Sequence, residues 1–129
     1  MSVYSAPEGH IYGPRPLRMI LEDYAAVGLI LVEDGIAAYI WDPREEGVVW
    51  TREIWVHPEK RKQGIATRLF YEMASLPGAV IIMSKTSVYN PEANQMYHKI
   101  GRSLVEQDGE LMYWRDECRE ILKKSKRGR

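Results

Sequence analysis

A basic loop, a glycine and the start of a helix follow one another at residues 60–66, and this order could bind an anion. The loop contributes Lys60, Arg61 and Lys62, and Gly64 follows directly before a run with apolar residues at helical spacing. Glycine tolerates a positive φ and allows a ligand to approach the backbone closely. The first N–H groups of a helix lack partners within the helix and carry the positive end of its dipole. We therefore predict a phosphate-binding site here, although a solvated basic loop would show the same residues.

A second group of residues places an amide and a phenol on one predicted helix. Asn90 and Pro91 form a good helix start, because asparagine caps the first turn and proline fits the first helical position. Gly101 ends the helix. Tyr97 lies on its apolar face, where a phenol can donate a proton or a hydrogen bond. The alternative is a tyrosine that only fills the core.

The remaining pattern predicts a single α/β domain in which helices flank a central mixed sheet. Apolar runs between turn residues predict an antiparallel meander of three strands, a strand parallel to the third, and a C-terminal hairpin. The predicted strands are residues 27–32, 36–41, 48–56, 79–83, 103–107 and 110–114. The predicted helices are residues 17–25, 65–76 and 91–100, followed by a charged helix from residue 115 onward.

These elements divide the chain into three parts. Residues 1–26 form an irregular N-terminal arm and a short helix, residues 27–115 form the core, and residues 116–129 form a C-terminal helix and a disordered basic tail. We expect the two hairpins to turn at Asp34-Gly35 and Asp108-Gly109, because these dipeptides favour tight turns.

Composition limits the classes of protein that this chain can represent. Its 129 residues suffice for one core, and its net charge of zero does not favour nucleic acid or an anionic membrane as a partner. The lone Cys118 fits a reducing compartment. No apolar run approaches the ~20 residues that span a bilayer, and no signal peptide is recognisable. We expect a cytoplasmic protein, without a metal site because its histidines are scattered.

The predicted phosphate site and the helix that carries Asn90 and Tyr97 both fit sequence patterns of one protein family. Residues 61–66, which read RKQGIA, fit the pattern (R/Q)-x-x-G-x-(G/A). The stretch from Asn90 to Gly101 fits N-x-x-A-x-x-x-Y-x-x-x-G-F, with Arg102 in the place of the final phenylalanine. Together with the order of the elements, these matches make residues 27–115 similar to the GNAT superfamily of N-acetyltransferases.

The resemblance implies acetyl-CoA as co-substrate. Part of the third meander strand would pair with the pantetheine arm like an added strand, in a gap where this strand splays from its parallel neighbour. Backbone amides of the predicted phosphate site would hold the pyrophosphate. The implied cofactor-binding residues are Ile54, Trp55, Val56, Arg61, Lys62, Gln63, Gly64, Ile65, Ala66, Thr67 and Asn90.

The resemblance also implies a reaction, the transfer of the acetyl group to a primary amine by direct attack in a ternary complex. Tyr97 would lie near the thioester sulfur as a catalytic proton donor, and the N–H of Val56 or His57 would hold the oxyanion.

The general base is less well defined, because this chain has no carboxylate late on the buried strand, where some family members carry one. Glu53 is the best remaining carboxylate. By strict alternation it shares a face with Thr51, although a bulge would change its direction. His57, His98 and water are alternative bases.

The acceptor is inferred from the short segment before the first strand and the tight final turn. Both indicate an open groove, which suits a protein segment better than a small enclosed metabolite. We expect a monomer or homodimer, no membrane partner, and nucleic acid only through the basic tail. A different hypothesis is a catalytically degenerate GNAT-like module that acts by binding a partner protein. Arg102 and the undefined base favour that hypothesis.

Overall fold

The structure, a computed structural model, describes residues 28–60 and 64–127, apart from the side chains of Pro58 and of residues 125–127. The predicted arm and helix of residues 1–26 and the loop residues 61–63 lie outside the described residues. The strands are β1 (Gly28–Val32), β2 (Gly35–Trp41), β3 (Val48–Val56), β4 (Ile81–Ser87), β5 (Leu104–Asp108) and β6 (Leu111–Glu117). The helices are α1 (Ile65–Ala74), α2 (Pro91–Lys99) and α3 (Cys118–Arg127), and a short 3-10 turn, Pro58–Lys60, follows β3. None of the helices in these ranges is long and apolar enough to cross a membrane.

The six strands form one mixed sheet in the order β1-β2-β3-β4-β6-β5. β3 and β4 are parallel, and all other neighbours are antiparallel. The parallel ladder covers only three residue pairs, from Val48 with Ile81 to Trp50 with Met83, and the strands separate beyond it. The predicted α/β fold, with its meander, one splayed parallel pair and C-terminal hairpin, is therefore confirmed. We call the space between residues 51–56 of β3 and 84–87 of β4 the β3–β4 gap.

One face of the sheet supports the helices through a single hydrophobic core. α1 is amphipathic, because Leu69, Phe70 and Met73 recur at helical spacing and are at most 1% exposed. They form one cluster with Val49 of β3 and Ile82 of β4. A fully buried side chain of this kind contributes about 1.5–3 kcal/mol. This packing fixes α1 across the strands that border the β3–β4 gap.

The two hairpins each turn one residue away from their predicted positions. The first turns at residues 33–34, because Gly35 already pairs with Val32 across the ladder. Asp34 takes the positive φ of this turn, at 65°, a conformation that aspartate tolerates better than most residues. The second hairpin turns at residues 109–110, one residue later than predicted.

Two strands of the C-terminal half, β4 and β6, are longer than the sequence pattern predicts. That pattern ends β6 at Trp114 and begins a helix at Arg115, but the ladder with β4 continues to Glu117. β4 likewise spans residues 81–87 rather than 79–83. Pairing with a neighbouring strand therefore overrides the local helical pattern, and α3 begins at Cys118. α3 continues through Arg127, so the described part of the predicted basic tail is helical.

Candidate active site

The N-terminus of α1 has the backbone geometry that an anion site requires. Gly64 precedes the helix with φ 81° and ψ 7°, in the left-handed region that favours glycine. A Cβ placed on Gly64 would meet no atom of the described residues within 4 Å, so these residues leave the space beside it open. No side chain of the described residues forms a capping hydrogen bond there. Among the described residues, the first amides of α1 therefore have no side-chain cap, which suits an anion, and the predicted anion site here stays a prediction.

A cavity of about 430 Å³ lies between this helix N-terminus and α2, and we call it the α1–α2 cavity. Five predicted cofactor-binding residues line it: Val56, Gly64, Ile65, Ala66 and Thr67. The structure thus brings the end of β3 and the start of α1 together around one space. Of the other residues of the predicted phosphate site, Lys60 is exposed and does not line this cavity, and residues 61–63 lie outside the described residues.

The opposite wall of the α1–α2 cavity comes from α2, which the sequence prediction did not assign to it. Its lining residues there are Glu92, Gln95, Met96, Lys99 and Ile100. Their spacing of three or four residues places them along one side of the helix. This stripe was the available signal, but a stripe of mixed charged and apolar residues looks like any helix surface. Its closeness to α1 depends on the tertiary fold.

The backbone direction of β3 selects which residues can bind a ligand in the β3–β4 gap. Successive residues of a strand direct their N–H and C=O groups to opposite sides. The N–H of His57 donates to the carbonyl of Asp34 at 2.8 Å, so His57 faces away from the gap. By the same alternation the backbone N–H and C=O of Trp55 are directed toward β2, whereas those of Ile54 and Val56 are directed toward the gap. The N–H of His57 is therefore already engaged, and the cofactor contacts expected of Ile54, Trp55 and Val56 stay predictions.

Tyr97 lies in the middle of the core. It is 0% exposed, and its ring makes edge contacts with Phe70 and Trp114 at centroid distances of 5.5 and 5.3 Å. It does not line the α1–α2 cavity, although its neighbour Met96 does. Its proposed role as a proton donor stays a prediction, and the burial also fits the alternative of a core tyrosine.

A bulge at Arg52 decides the direction of Glu53. Ala38 pairs with Glu53 and Tyr39 pairs with Thr51, so one residue of β3 is extra. Thr51 consequently faces the helices, and Glu53 lies on the opposite face of the sheet, where it is 1% exposed. Strict alternation, which puts both on one face, does not hold here. The proposed role of Glu53 as a base stays a prediction.

The alternative histidine bases lie in two different places, and their role stays a prediction. Nδ1 of His57 accepts a hydrogen bond from the N–H of Glu59 at 3.1 Å. His98 is exposed and lines a different groove, between α2 and the β5–β6 hairpin, with Met112 and Trp114.

Asn90 performs the structural role that its position predicts. Its side-chain oxygen accepts a hydrogen bond from the N–H of Ala93 at 3.2 Å, and Pro91 occupies the first helical position. The residue is 3% exposed. Helix capping therefore accounts for one contact of this side chain, and its contact with a cofactor remains a prediction.

The sequence did not reveal the role of Arg102, which replaces the phenylalanine of the family pattern. Its Nε donates to Asp116 at 2.6 Å, and its Nη atoms donate to the Ser84 hydroxyl at 3.0 Å and the Ile82 carbonyl at 3.4 Å. The departure from the pattern was the available signal. The partners come from two strands, so only the fold could identify them.

Comparison with known proteins agrees with this architecture. A sequence model of the family described as "Acetyltransferase (GNAT) domain" matches residues 22–102. No curated protein is significantly similar to the chain in sequence.

Several solved structures share the fold. A putative GNAT acetyltransferase from Desulfovibrio desulfuricans has a TM-score of 0.57 and 24% identity, over 66% of this chain and 61% of its own. Nourseothricin acetyltransferase has a TM-score of 0.54 and 21% identity, over 66% of this chain and 58% of its own. Spermidine N-acetyltransferase from Vibrio cholerae, in complex with CoA and spermine, has a TM-score of 0.53 and 17% identity, over 68% of this chain and 60% of its own.

The match therefore spans about three fifths of the length of each of these proteins. At these identities the similarity shows the fold, whereas the family model covers more than half of the 129 residues. The chain belongs to the GNAT acetyltransferase family.

Proposed function

We propose that this protein is an N-acetyltransferase that transfers the acetyl group of acetyl-CoA to a primary amine, by direct attack in a ternary complex. The observation that carries the proposal is the α1–α2 cavity, which joins the open N-terminus of α1 to the end of β3 beside the β3–β4 gap. GNAT proteins use acetyl-CoA, and one similar structure contains CoA.

The residues present fit this co-substrate. The open space beside Gly64 and the first amides of α1 suit a pyrophosphate, and Lys99 adds a positive charge to the same cavity. Ile65 and Met96 supply apolar surface for the pantetheine arm. When bound, acetyl-CoA supplies the activated acetyl group. This assignment retains residues 61–63 as further pyrophosphate ligands.

Three groups are assigned to the chemistry. The N–H of Val56, which is directed toward the gap, would hold the oxyanion. Tyr97 would donate a proton to the departing thiolate, and Glu53 would take a proton from the amine. The support for Tyr97 is its spacing from Asn90 on α2, and the support for Glu53 is its position on the strand that borders the gap.

The acceptor is assigned to an exposed amine on a protein segment, with a small polyamine as the competing class. The β5–β6 turn has only two residues, and Tyr89 beside it is 71% exposed. Among the described residues, no long loop covers this end of β4. The names of two similar structures, spermidine and nourseothricin acetyltransferase, make small amines the alternative that must be tested.

A second function, a non-catalytic binding module, is favoured by one observation. Both predicted catalytic side chains, Glu53 and Tyr97, are at most 1% exposed. A side chain buried in this way needs a conformational opening or a deeply inserted ligand before it can move a proton. A module that only binds CoA or a partner protein needs neither.

Calorimetric titration with acetyl-CoA tests the co-substrate, and release of the CoA thiol tests catalysis. We expect micromolar binding, followed by CoA release with a lysine-containing peptide and not with spermidine. Release with spermidine alone would reassign the acceptor. Binding without release, together with Tyr97→Phe having no effect on partner binding, would establish the binding module. No binding at millimolar acetyl-CoA would refute the proposed function.

A further inference from the structure

Arg102 and Asp116 form a charged pair inside the core of the domain. Their side chains are 2% and 5% exposed, and Arg102 Nε lies 2.6 Å from Asp116 Oδ2. The same carboxylate oxygen accepts the N–H of Ser103 at 3.1 Å. Burying two charges carries a desolvation penalty, and apolar residues of similar size are often at least as stabilising. Stability alone therefore does not explain this pair.

The guanidinium of Arg102 lies against the aromatic cluster that contains Tyr97. Its central carbon is 5.2 Å from the centroid of the Tyr97 ring and 4.7 Å from that of Phe70. These distances are within the range of a cation–π interaction. Phe70 and Trp114 contact the same tyrosine ring by their edges. The cation and the two rings together restrict the position of Tyr97.

A chain of hydroxyl groups connects Arg102 to the point where β3 and β4 separate. Arg102 Nη1 donates to the Ser84 hydroxyl at 3.0 Å, and this hydroxyl donates to Thr51 Oγ1 at 2.9 Å. Thr51 and Ser84 directly follow Trp50 and Met83, the last pair of the parallel ladder. Both hydroxyl residues are 0% exposed. The chain thus ends at the closed end of the β3–β4 gap.

We propose that Arg102 is a positioning residue that holds the Tyr97 ring in register with the closed end of the β3–β4 gap. This inference rests on the proposed function, in which Tyr97 donates a proton to a group held in the gap. Arg102 itself transfers no proton. Phenylalanine in its place would fill the core but would remove the link from Tyr97 through Ser84 to Thr51.

The test compares a variant without the buried charges with a matched control. Arg102→Phe combined with Asp116→Asn removes both charges and keeps an oxygen that can accept the N–H of Ser103. Arg119→Ala is the control, because it removes an exposed pair with Glu117, at 2.7 Å, near the same strand end. Arg102→Lys retains the charge without the planar fork and serves if the double variant does not fold.

We measure thermal stability, and we measure kcat and KM from CoA release with acetyl-CoA and the lysine peptide or spermidine. The double variant is expected to retain its Tm and its KM for acetyl-CoA, while kcat falls by at least tenfold and up to about 100-fold. The kcat of Arg102→Lys should lie between those of the wild type and the double variant. The control should match the wild type. A double variant with a wild-type kcat would overturn the proposal and leave the pair as a structural feature.

A spectroscopic measurement separates this proposal from the proposed function. In protein labelled with 3-fluorotyrosine, the Tyr97 resonance is identified by its loss in Tyr97→Phe. We expect one sharp line in the wild type and a broadened or split line in the double variant, because its ring has more than one position. An equally sharp single line in the double variant would refute the positioning role even if the protein proved to have no transferase activity.

Discussion

Replacement of Gly64 by alanine tests the proposed anion site, and the structure allows its effect on stability to be estimated. Gly64 has φ 81°, and within the described part of the chain no atom lies within 4 Å of a Cβ placed there. The folded protein therefore bears only the strain of a left-handed alanine, about 1–2 kcal/mol. For a domain of this size that corresponds to a fall in Tm of roughly 4–8 °C. The new methyl group also occupies space in the α1–α2 cavity, which Gly64 lines.

Gly78 provides the matched control at the other end of α1. Its φ is 87°, a Cβ there would also meet nothing within 4 Å, and it does not line the α1–α2 cavity. Gly78→Ala should lower Tm by a similar amount without changing the affinity for acetyl-CoA. Gly64→Ala should in addition weaken calorimetric binding at least tenfold, about 1.4 kcal/mol. Equal affinities of the two variants would refute the assignment of the α1 N-terminus as the pyrophosphate site.

Two further predictions concern the core. Burial raises the pKa of the Cys118 thiol to about 11, so at pH 8 the folded protein should hold about 100-fold less thiolate than an ordinary cysteine. Its alkylation by iodoacetamide should be correspondingly slow and should accelerate as the pH rises toward 11, and rapid alkylation at pH 8 would contradict the burial. The indole N–H of Trp114 donates to Thr86 Oγ1 at 2.9 Å within the core. Thr86→Val should therefore lower the free energy of unfolding by about 1–3 kcal/mol in urea denaturation. If the same substitution lowers the free energy of unfolding by as much in a Trp114→Phe background, this hydrogen bond is not the cause.

Local sequence was sufficient where the chemistry depends on neighbouring residues. Gly64 takes a positive φ directly before α1, and Asn90 caps α2 with Pro91 behind it. These positions follow from the backbone freedom of glycine and the short polar side chain of asparagine. Periodicity likewise predicted β3 to its last residue and α1 to within two residues of its end. The fold could therefore be predicted, and the conformation of Gly64 before α1 agrees with the predicted anion site, which itself stays a prediction.

The direction and surroundings of the site residues could not be predicted in this way. The bulge at Arg52 is a feature of the pairing between β3 and β2, and it sends Glu53 to the face opposite the helices. Likewise, Trp55 pairs with Ile36 of β2. Both outcomes depend on strand pairing, which no local pattern contains.

The sequence by itself determined the order of the elements, the left-handed glycine before α1 and the cap of α2, because each depends on residues within one turn of chain. Only the tertiary structure decided that α2 forms the second wall of the cavity and that Tyr97 is wholly enclosed. It also paired Arg102 with Asp116, fourteen residues away. These features arise where segments distant in sequence pack together. A charge that becomes buried by this packing needs a partner of opposite charge, because removing it from water is costly.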